Sequence, residues 1–316
     1  MIGLKLNPDA AEAHFQVVLP LIQRRAGNIL NGWIGRGEDR PVLTPVMRTY
    51  LQDLRDNGMS VKNLVKALPH TLRDIIASTN MHYPQFQTNF HDKRVLKNLF
   101  VESVYDHEDF NKLDFIKRID LDTCAYCNRN YVYYLSGMEA KPIKPQIDHF
   151  YPKTKYPYLG VSFYNLIPSC STCNGFEAKG ELCPIELGLV SPYELTDFDQ
   201  FKFTYKVHKI DVLRPLSGKH HIDVQLQHKI DSHNVVFRLE KLYQQHSDHV
   251  LELIIKSKSK YAPAYRRYLQ NYTSLKFDDF EIDRLILGNY SGRHQVHKRP
   301  LAKLYQDIGR ELKLIR

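Results

Sequence analysis

Two closely spaced pairs of cysteines point most specifically to chemistry in this chain. Cys124 and Cys127 form one C-x2-C pair, and Cys170 and Cys173 form the other. Each pair can present two thiolates from a tight turn, so two pairs predict a closed, tetrahedral structural Zn2+ site. The alternative is a pair of disulfides. Because the first residues do not resemble a secretory signal, we expect a cytoplasmic, reducing location, where this spacing favours metal. The fifth cysteine, Cys183, is expected to be a small buried side chain.

An Asp-His pair lies between the two cysteine pairs. His149 has a side chain suited to taking a proton from water near neutral pH. Asp148 should point to the opposite face of an extended strand, so we expect it to bind a divalent cation, Mg2+ or Mn2+, that polarises a phosphate. Asn174 is expected to supply a second oxygen ligand, and Asn165 to brace the loop that carries His149. Each residue alone could be a cap or turn residue, but their combination indicates a phosphodiesterase site.

Basic residues near these motifs are candidates for contacts with nucleic-acid phosphates. Lys153 and Lys155 lie just beyond the strand that carries the Asp-His pair, and Lys179 lies after the second cysteine pair. Arg129 lies within a tyrosine-rich stretch at residues 126–134. That stretch either meets nucleic acid by stacking and phosphate contact, or packs as a strand against the zinc site. We therefore predict nucleic-acid contacts at Lys153, Lys155, Lys179 and Arg129.

The charge of the chain is unevenly distributed. Its net charge is +9, and residues 201–316 hold 22 Lys or Arg against 12 Asp or Glu, whereas residues 1–200 hold 22 against 23. A positive C-terminal third suggests a polyanionic partner such as DNA, or RNA such as tRNA. No apolar run approaches the length of a membrane span, so no membrane association is predicted.

The pattern of apolar residues predicts an α+β chain in three regions. Residues 1–120 should be helical, with a helix over residues 9–28 that Pro20 kinks or splits, one capped by Thr44, and one beginning at Ser60. Residues 121–186 form the zinc-stapled core. Residues 187–316 form a basic, mostly helical region with a β-hairpin around a turn at 215–218. A long helix is predicted over residues 231–258, and a final helix has Pro300 in its first turn.

The order of these motifs resembles the zinc-containing HNH endonucleases, whose ββα-metal core reads C-x2-C, Asp-His, Asn-Leu, C-x2-C-Asn and Lys. The resemblance implies that His149 is the general base, that Asp148 and Asn174 bind the catalytic metal, and that Asn165 holds the loop and the base. It also implies products with a 5′-phosphate and a 3′-hydroxyl. The chain departs from the pattern in its last motif position, where Asn174 replaces histidine, and this puts the second metal ligand in doubt.

The C-terminal region is similar to HNH proteins of the PtuB type. The similarity rests on Phe-Arg-Leu-Glu-Lys-Leu-Tyr at 237–243 and on residues 297–308. Such proteins accompany an ABC-type ATPase in Septu and retron-linked antiphage defence. The resemblance implies a nuclease effector with an ABC-type ATPase partner. The alternative is a non-catalytic, zinc-stapled scaffold that binds nucleic acid or protein, although a scaffold requires neither Asp148 nor His149.

Overall fold

The structure, a computed structural model, describes the chain except for residues 33–41, 138–139, 144, 209–220, 229–230, 260, 273, 275 and 316. It combines many helices with small two-stranded antiparallel sheets, as the predicted mixed class requires. Buried apolar side chains from the N-terminal, central and C-terminal parts belong to one connected core. The division into three domains therefore stays a prediction from sequence.

Residues 1–120 are helical in the part that the structure describes, as predicted. A π-helical segment, Lys97–Tyr105, continues directly from the sixth helix. The helices are α1 Pro8–Leu30, α2 Pro45–Asp56, α3 Gly58–Val65, α4 Pro69–His82, α5 Gln85–Thr88, α6 Phe90–Leu96 and α7 Lys112–Ile119.

Helix α1 runs through Pro20 without a break, so the predicted splitting is wrong. Proline removes the hydrogen bond to the carbonyl four residues earlier, here that of Gln16. Both Pro20 and Gln16 lie on the exposed face of the helix, where water can bond that carbonyl. Val18 and Ile22 are fully buried on the opposite face, and their packing stabilises the continuous helix.

Side-chain caps set where the next two helices begin. Thr44 caps α2 as predicted, because its hydroxyl accepts a hydrogen bond from the Met47 N–H at 3.1 Å. Helix α3 begins at Gly58, two residues before the predicted Ser60. The Asn57 side chain accepts the free N–H groups of the new first turn, which is the usual role of asparagine at this position.

Two contacts attach the N-terminal helices to the central loop at residues 160–162. On α1, the buried His14 Nε2 donates to the Val161 carbonyl at 2.7 Å. From the loop, Ser162 Oγ donates to the Leu64 carbonyl of α3 at 2.8 Å. Both bonds are buried, where the loss of one partner leaves a costly unsatisfied group. The loop is therefore held by two separate helices.

The central region contains two short hairpins and two short helices. Its elements are β1 Leu135–Gly137, β2 Ala140–Ile143, β3 Gln146–His149, β4 Leu166–Ser169, α8 Ser171–Asn174 and α9 Pro184–Leu187. Strand β3 pairs with β4 so that Asp148 lies opposite Ile167 and His149 lies opposite Leu166. Helix α8 follows β4 at once and contacts β3. The order of two antiparallel strands and a helix thus places the Asp-His pair and the last two cysteines on adjacent elements.

The C-terminal region contains the predicted hairpin and several helices. Its elements are β5 Phe201–Val207, β6 Ile222–His228, α10 Asp231–Phe237, α11 Leu239–Gln244, α12 Ser247–Lys258, α13 Tyr261–Gln270, α14 Asp279–Leu287 and α15 Ala302–Glu311. Strands β5 and β6 pair in an unbroken antiparallel register from Phe201 with His228 to Val207 with Ile222. The predicted turn at 215–218 lies outside the described residues.

The single long helix predicted over residues 231–258 is wrong, since three helices occupy that range. Arg238 adopts a left-handed backbone with φ 48° between α10 and α11, a conformation that ends a helix. The Asn234 side chain then accepts a hydrogen bond from the Glu240 N–H at 2.9 Å at the start of α11. The spacing of apolar residues does not reveal this break, because the helices before and after Arg238 both bury their apolar residues.

Helix α15 begins at Ala302, so Pro300 precedes it and is not in its first turn as predicted. Leu301 has a φ of 61°, and its N–H donates to the Asn128 carbonyl at 2.7 Å. The Asn128 side chain accepts from the Lys303 N–H at 2.9 Å and donates to the Val296 carbonyl at 3.0 Å. A buried asparagine from the first cysteine turn therefore anchors the start of the last helix.

Lys303 and Asp307 form a buried ion pair one turn apart on α15. Their side chains are 1% and 3% exposed, and both Asp307 oxygens lie 2.6 Å from Lys303 Nζ. Asp307 also accepts from the Phe203 N–H of β5 at 2.8 Å. Removing one partner of such a pair leaves a buried charge, which typically costs about 3–5 kcal/mol.

We expect Lys303→Met to lower the free energy of unfolding by about 3–5 kcal/mol in urea titrations. The double variant Lys303→Met/Asp307→Leu should lose less, because no charge is stranded. Lys298→Met, which removes a pair with the more exposed Asp120, should cost under about 1 kcal/mol. Equal losses for Lys303→Met and Lys298→Met would contradict the buried-pair interpretation.

Candidate active site and metal centre

The four cysteines predicted to bind zinc converge in one buried cluster. Cys124 and Cys127 lie in a turn in which the Asn128 N–H donates to the Cys124 carbonyl at 2.8 Å. Cys170 and Cys173 lie immediately before and within α8. All four Sγ atoms lie within 4.8 Å of one another, and those of Cys127 and Cys170 are 3.8 Å apart.

This geometry fits a tetrahedral zinc ion. With Zn–S bonds of about 2.3 Å, neighbouring sulfurs of a tetrahedron are about 3.8 Å apart. All five cysteines are free thiols, so the structure does not contain the alternative disulfides. The Arg129 N–H points at Cys127 Sγ from 3.4 Å, a contact that stabilises a thiolate. Cys183 is buried outside the cluster, with Sγ 3.6 Å from the Tyr156 hydroxyl. The four clustered cysteines are therefore close enough to bind a metal ion such as zinc.

His149 is held in one tautomer by a backbone carbonyl. It is the last residue of β3 and is 7% exposed. Its Nε2 lies 3.0 Å from the Gly160 carbonyl oxygen, and a carbonyl can only accept, so Nε2 must carry the proton. The neutral ring then has its lone pair on Nδ1. The structure thus leaves Nδ1 as the proton acceptor.

Burial and nearby cations keep His149 neutral. Burial is the largest cause that lowers the pKa of His149, to about 3, and Lys153, Lys179 and Lys112 act in the same direction. The ring packs against Tyr105, with the two ring centroids 4.6 Å apart and nearly perpendicular. At neutral pH the imidazole is therefore uncharged and can accept a proton.

Asn165 braces the loop beside His149 with three hydrogen bonds. Its Oδ1 accepts from the Tyr151 N–H at 2.7 Å. Its Nδ2 donates to the carbonyls of Tyr151 at 3.1 Å and Leu159 at 3.0 Å. The side chain is fully buried, and it satisfies backbone groups on both sides of the turn that follows β3. Asn165 therefore holds the backbone of this loop together, and its role in holding His149 for catalysis stays a prediction.

Asp148 is buried with a phenol and an ammonium. The Tyr126 hydroxyl donates to Asp148 Oδ2 at 2.5 Å, and Lys179 Nζ lies 3.7 Å from Oδ1. Lys179 Nζ also donates to the His149 carbonyl at 3.3 Å. Burial raises the pKa of Asp148, while Lys179 and Tyr126 oppose that rise. The carboxylate is therefore already engaged by groups that stabilise its charge.

The two residues predicted to bind a divalent cation carry the kind of donor atom that such a cation prefers. Asp148 offers a carboxylate on β3, and Asn174 offers an amide oxygen on α8, the helix that contacts β3. Asn174 Nδ2 donates to Gln146 Oε1 at 2.9 Å, which leaves Asn174 Oδ1 as the remaining acceptor. These are the oxygen ligands that Mg2+ and Mn2+ prefer. Lys179 would compete with such an ion for Asp148, because its ammonium is a cation next to the same carboxylate.

The basic residues predicted to bind nucleic acid have different surroundings. Lys153 is half-buried, with Nζ 4.9 Å from the centroid of the Tyr105 ring. Lys155 forms an ion pair with Glu186. Arg129 Nε donates to His246 Nε2 at 3.0 Å. Lys179 is fully buried beside Asp148, so in this arrangement it contacts the site from within and is closed to a phosphate on the surface.

The tyrosines of residues 126–134 have different surroundings: one is buried near the cysteine cluster, and others are exposed. Tyr126 is fully buried and serves Asp148, which matches packing against the cysteine cluster. Tyr131 and Tyr133 are 39% and 57% exposed, with rings stacked at a centroid distance of 4.2 Å. Sequence reasoning missed the hydrogen bond of Tyr126 and the contact of Tyr105. The position of Tyr126 between two cysteine ligands was the available signal, whereas Tyr105 had none.

Comparison with known proteins gives one relationship. No family model and no solved structure matches the chain. A stretch of 114 residues, 36% of the chain, is 31% identical to a curated bacterial protein. The chain is similar to the Septu protein PtuB of Bacillus thuringiensis. The match covers 42% of that protein, so the chain spans less than half the length of the curated relative. This similarity supports a relationship between the chain and Septu-type proteins.

The helices also bear on membrane association. In the part of the chain that the structure describes, each helix is too short or too polar to cross a bilayer.

Proposed function

We propose that this chain is a metal-dependent HNH endonuclease that hydrolyses phosphodiester bonds of nucleic acid. The observation that carries the proposal is the state of His149, whose Nε2–H is fixed on the Gly160 carbonyl at 3.0 Å. Nδ1 is thereby left as a base, on the residue that follows Asp148 in strand β3. The predicted Zn2+ at that cluster has a structural role, because four cysteines leave no position for substrate.

His149 supplies the proton transfer in this proposal. Nδ1 accepts a proton from the attacking water, and the Nε2–H···O=C bond stabilises the resulting imidazolium. In the free protein its low pKa makes His149 a weak base. A bound phosphate would offset the positive field of Lys153 and Lys112 and raise the pKa of His149 toward the value that general-base catalysis favours. Asn165 positions the same loop through the Tyr151 backbone.

Asp148 and Asn174 would hold the divalent cation. When bound, Mg2+ or Mn2+ supplies Lewis-acid stabilisation of the phosphate and of the leaving oxygen. Lys179 neutralises Asp148 in the structure, so its ammonium sets how strongly the carboxylate attracts a cation. The expected products carry a 5′-phosphate and a 3′-hydroxyl, as the resemblance to HNH enzymes implies.

The relationship to PtuB extends the proposal to a cellular role. We infer that the chain is the nuclease effector of a Septu-type or retron-linked antiphage system. An ABC-type ATPase is the proposed partner, and the cytoplasm the proposed location. The similarity to PtuB supports this role, and the net charge of +9 suits a nucleic-acid substrate.

A second candidate is a non-catalytic scaffold that binds nucleic acid or protein. One observation favours it: Asp148 is 2% exposed and already bonded to Tyr126 and close to Lys179. A buried, satisfied carboxylate is typical of a structural role. The neutral, oriented His149 favours catalysis, because a scaffold gains nothing from an imidazole with a free acceptor nitrogen.

Plasmid DNA and total RNA distinguish the two candidates. Wild type and His149→Ala should each be incubated with both substrates in Mg2+ or Mn2+, with and without the proposed ATPase partner. We expect metal-dependent cutting by wild type that the variant lacks. Binding without cutting by folded, zinc-loaded wild type in every condition would support the scaffold.

A further inference from the structure

A basic groove runs along the N-terminal helical region beside the candidate active site. It has a volume of about 440 Å³. One wall comes from α6 and the π-helical segment, and the other from residues 153–157, which follow the Asp-His strand. The side chains that matter below are Phe90, Lys93, Arg94, Lys97, Glu102 and Lys153.

Cations outnumber acids among the described side chains that line the groove. Among the described residues that line it, Glu102 is the single acid against four cations. Glu102 pairs with Lys97 at 3.0 Å. Lys93 and Lys153 have no carboxylate within ion-pair distance in the part of the chain that the structure describes. Burial also lowers the pKa of Lys153, so an anionic ligand would relieve the cost of its half-buried charge.

An exposed aromatic side chain stands at the same groove. Phe90 is the first residue of α6 and is 72% exposed. Its one described ring contact is with the adjacent His91, at a centroid distance of 5.9 Å. A phenyl face next to unpaired ammonium groups matches the two parts of a single-strand site, in which cations track phosphates and aromatic rings stack on bases.

Lys153 connects this groove to the candidate base. Its Nζ lies 4.9 Å from the centre of the Tyr105 ring, and that ring packs against His149 at 4.6 Å. Tyr105 is also the last residue of the π-helical segment that forms one wall. A chain of nucleotides in the groove would therefore reach the cations around His149.

We propose that the groove binds a single-stranded segment of nucleic acid next to the scissile phosphate. Lys93 and Lys153 contact phosphates, and Phe90 stacks on an unpaired base. The inference rests on the proposed nuclease function and adds its substrate class. A continuous duplex would keep its bases stacked on each other and leave Phe90 without a partner, so we expect single strands to bind more tightly.

Fluorescence anisotropy without added divalent metal tests binding separately from cleavage. The probes are single-stranded DNA, single-stranded RNA and duplex DNA of about 12 nucleotides per strand, a length within known single-strand site sizes. The parent proteins are wild type in metal-free buffer and the His149→Ala variant. We expect Phe90→Ala to weaken single-strand binding about 5- to 100-fold and Phe90→Trp to retain it. Phe280→Ala, at a 66% exposed phenylalanine of α14, should bind as the parent does.

The lysines are tested through salt dependence. Lys93→Gln and Lys153→Gln should each reduce the slope of log affinity against log salt by about 0.7, the value for one single-strand phosphate contact. Lys258→Gln, on α12, should leave the slope unchanged. The DNA and RNA probes show which sugar the groove accepts.

Each outcome separates this inference from the nuclease proposal. Equal binding of duplex and single strand with no effect of Phe90→Ala overturns the groove inference, even if wild type cleaves. Equal binding of poly-glutamate, also insensitive to Phe90→Ala, shows general anion attraction and overturns it too. Single-strand binding as predicted, without cleavage in any metal, supports the groove inference and overturns the nuclease proposal.

Discussion

Replacing His149 with alanine should lower the rate of phosphodiester cleavage by about 10²- to 10⁴-fold, the usual contribution of a positioned general base. The loss follows because Nδ1 is the acceptor that the Gly160 hydrogen bond leaves free. The measurement is single-turnover cleavage of the substrate that wild type cuts, at saturating protein. Added imidazole should restore part of the rate, since it can fill the cavity and accept the proton.

A second buried histidine provides the control for this variant. His233 is fully buried and accepts the Val190 N–H at 2.9 Å, but it lies outside the candidate site. His233→Ala should lower stability while leaving cleavage unchanged at temperatures where it is folded, and imidazole should have no effect on its rate. Equal loss of cleavage in both folded variants would contradict a specific role of His149 as the base.

Loss of one clustered cysteine should unfold much of the protein. Structural zinc in small domains contributes about 10–16 kcal/mol of apparent binding free energy, which is as large as the whole stability of a typical protein, about 5–15 kcal/mol. Cys127→Ser should therefore abolish stoichiometric zinc and the cooperative thermal transition. Zinc content by mass spectrometry and circular dichroism on the same sample measure both.

Cys183→Ser is the matched variant, because Cys183 is equally buried but lies outside the cluster. It should retain one zinc per chain and a cooperative transition. A Cys127→Ser protein with wild-type zinc content and melting temperature would show that the four thiols do not form the metal site.

The candidate site could be predicted largely because its residues are close in sequence. The C-x2-C spacing indicates a metal cluster, and the four sulfurs do converge. The hairpin of β5 and β6 follows from strict alternation of apolar residues, which is a local signal. Neither inference needs knowledge of distant contacts.

Other features depend on distant contacts and had no local signal. The burial of Lys179 beside Asp148 depends on the folded arrangement of α8 and β3. The sequence alone does not reveal this burial and therefore suggests a lysine available to a phosphate. Pro20 stays inside α1 because packing of one face outweighs a lost hydrogen bond at the solvent face. The break at Arg238 arises from a left-handed residue that apolar periodicity does not reveal. The groove at Phe90 joins two segments that are distant in sequence, α6 with the π-helical segment and the loop at 153–157.

The loop at residues 160–162 ties the Asp-His pair and its strand to helices from other parts of the chain. Three consecutive residues receive or make bonds to different parts of the chain: Gly160 with His149, Val161 with His14, and Ser162 with Leu64. On the other side, Asn128 joins the first cysteine turn to the last helix. A fragment cut at residues 121 and 186 would keep the bond between Gly160 and His149 but lose the bonds to His14, Leu64 and the last helix. We therefore expect that residues 121–186 do not fold alone, and that transferring the motif to another protein would require its flanking helices as well.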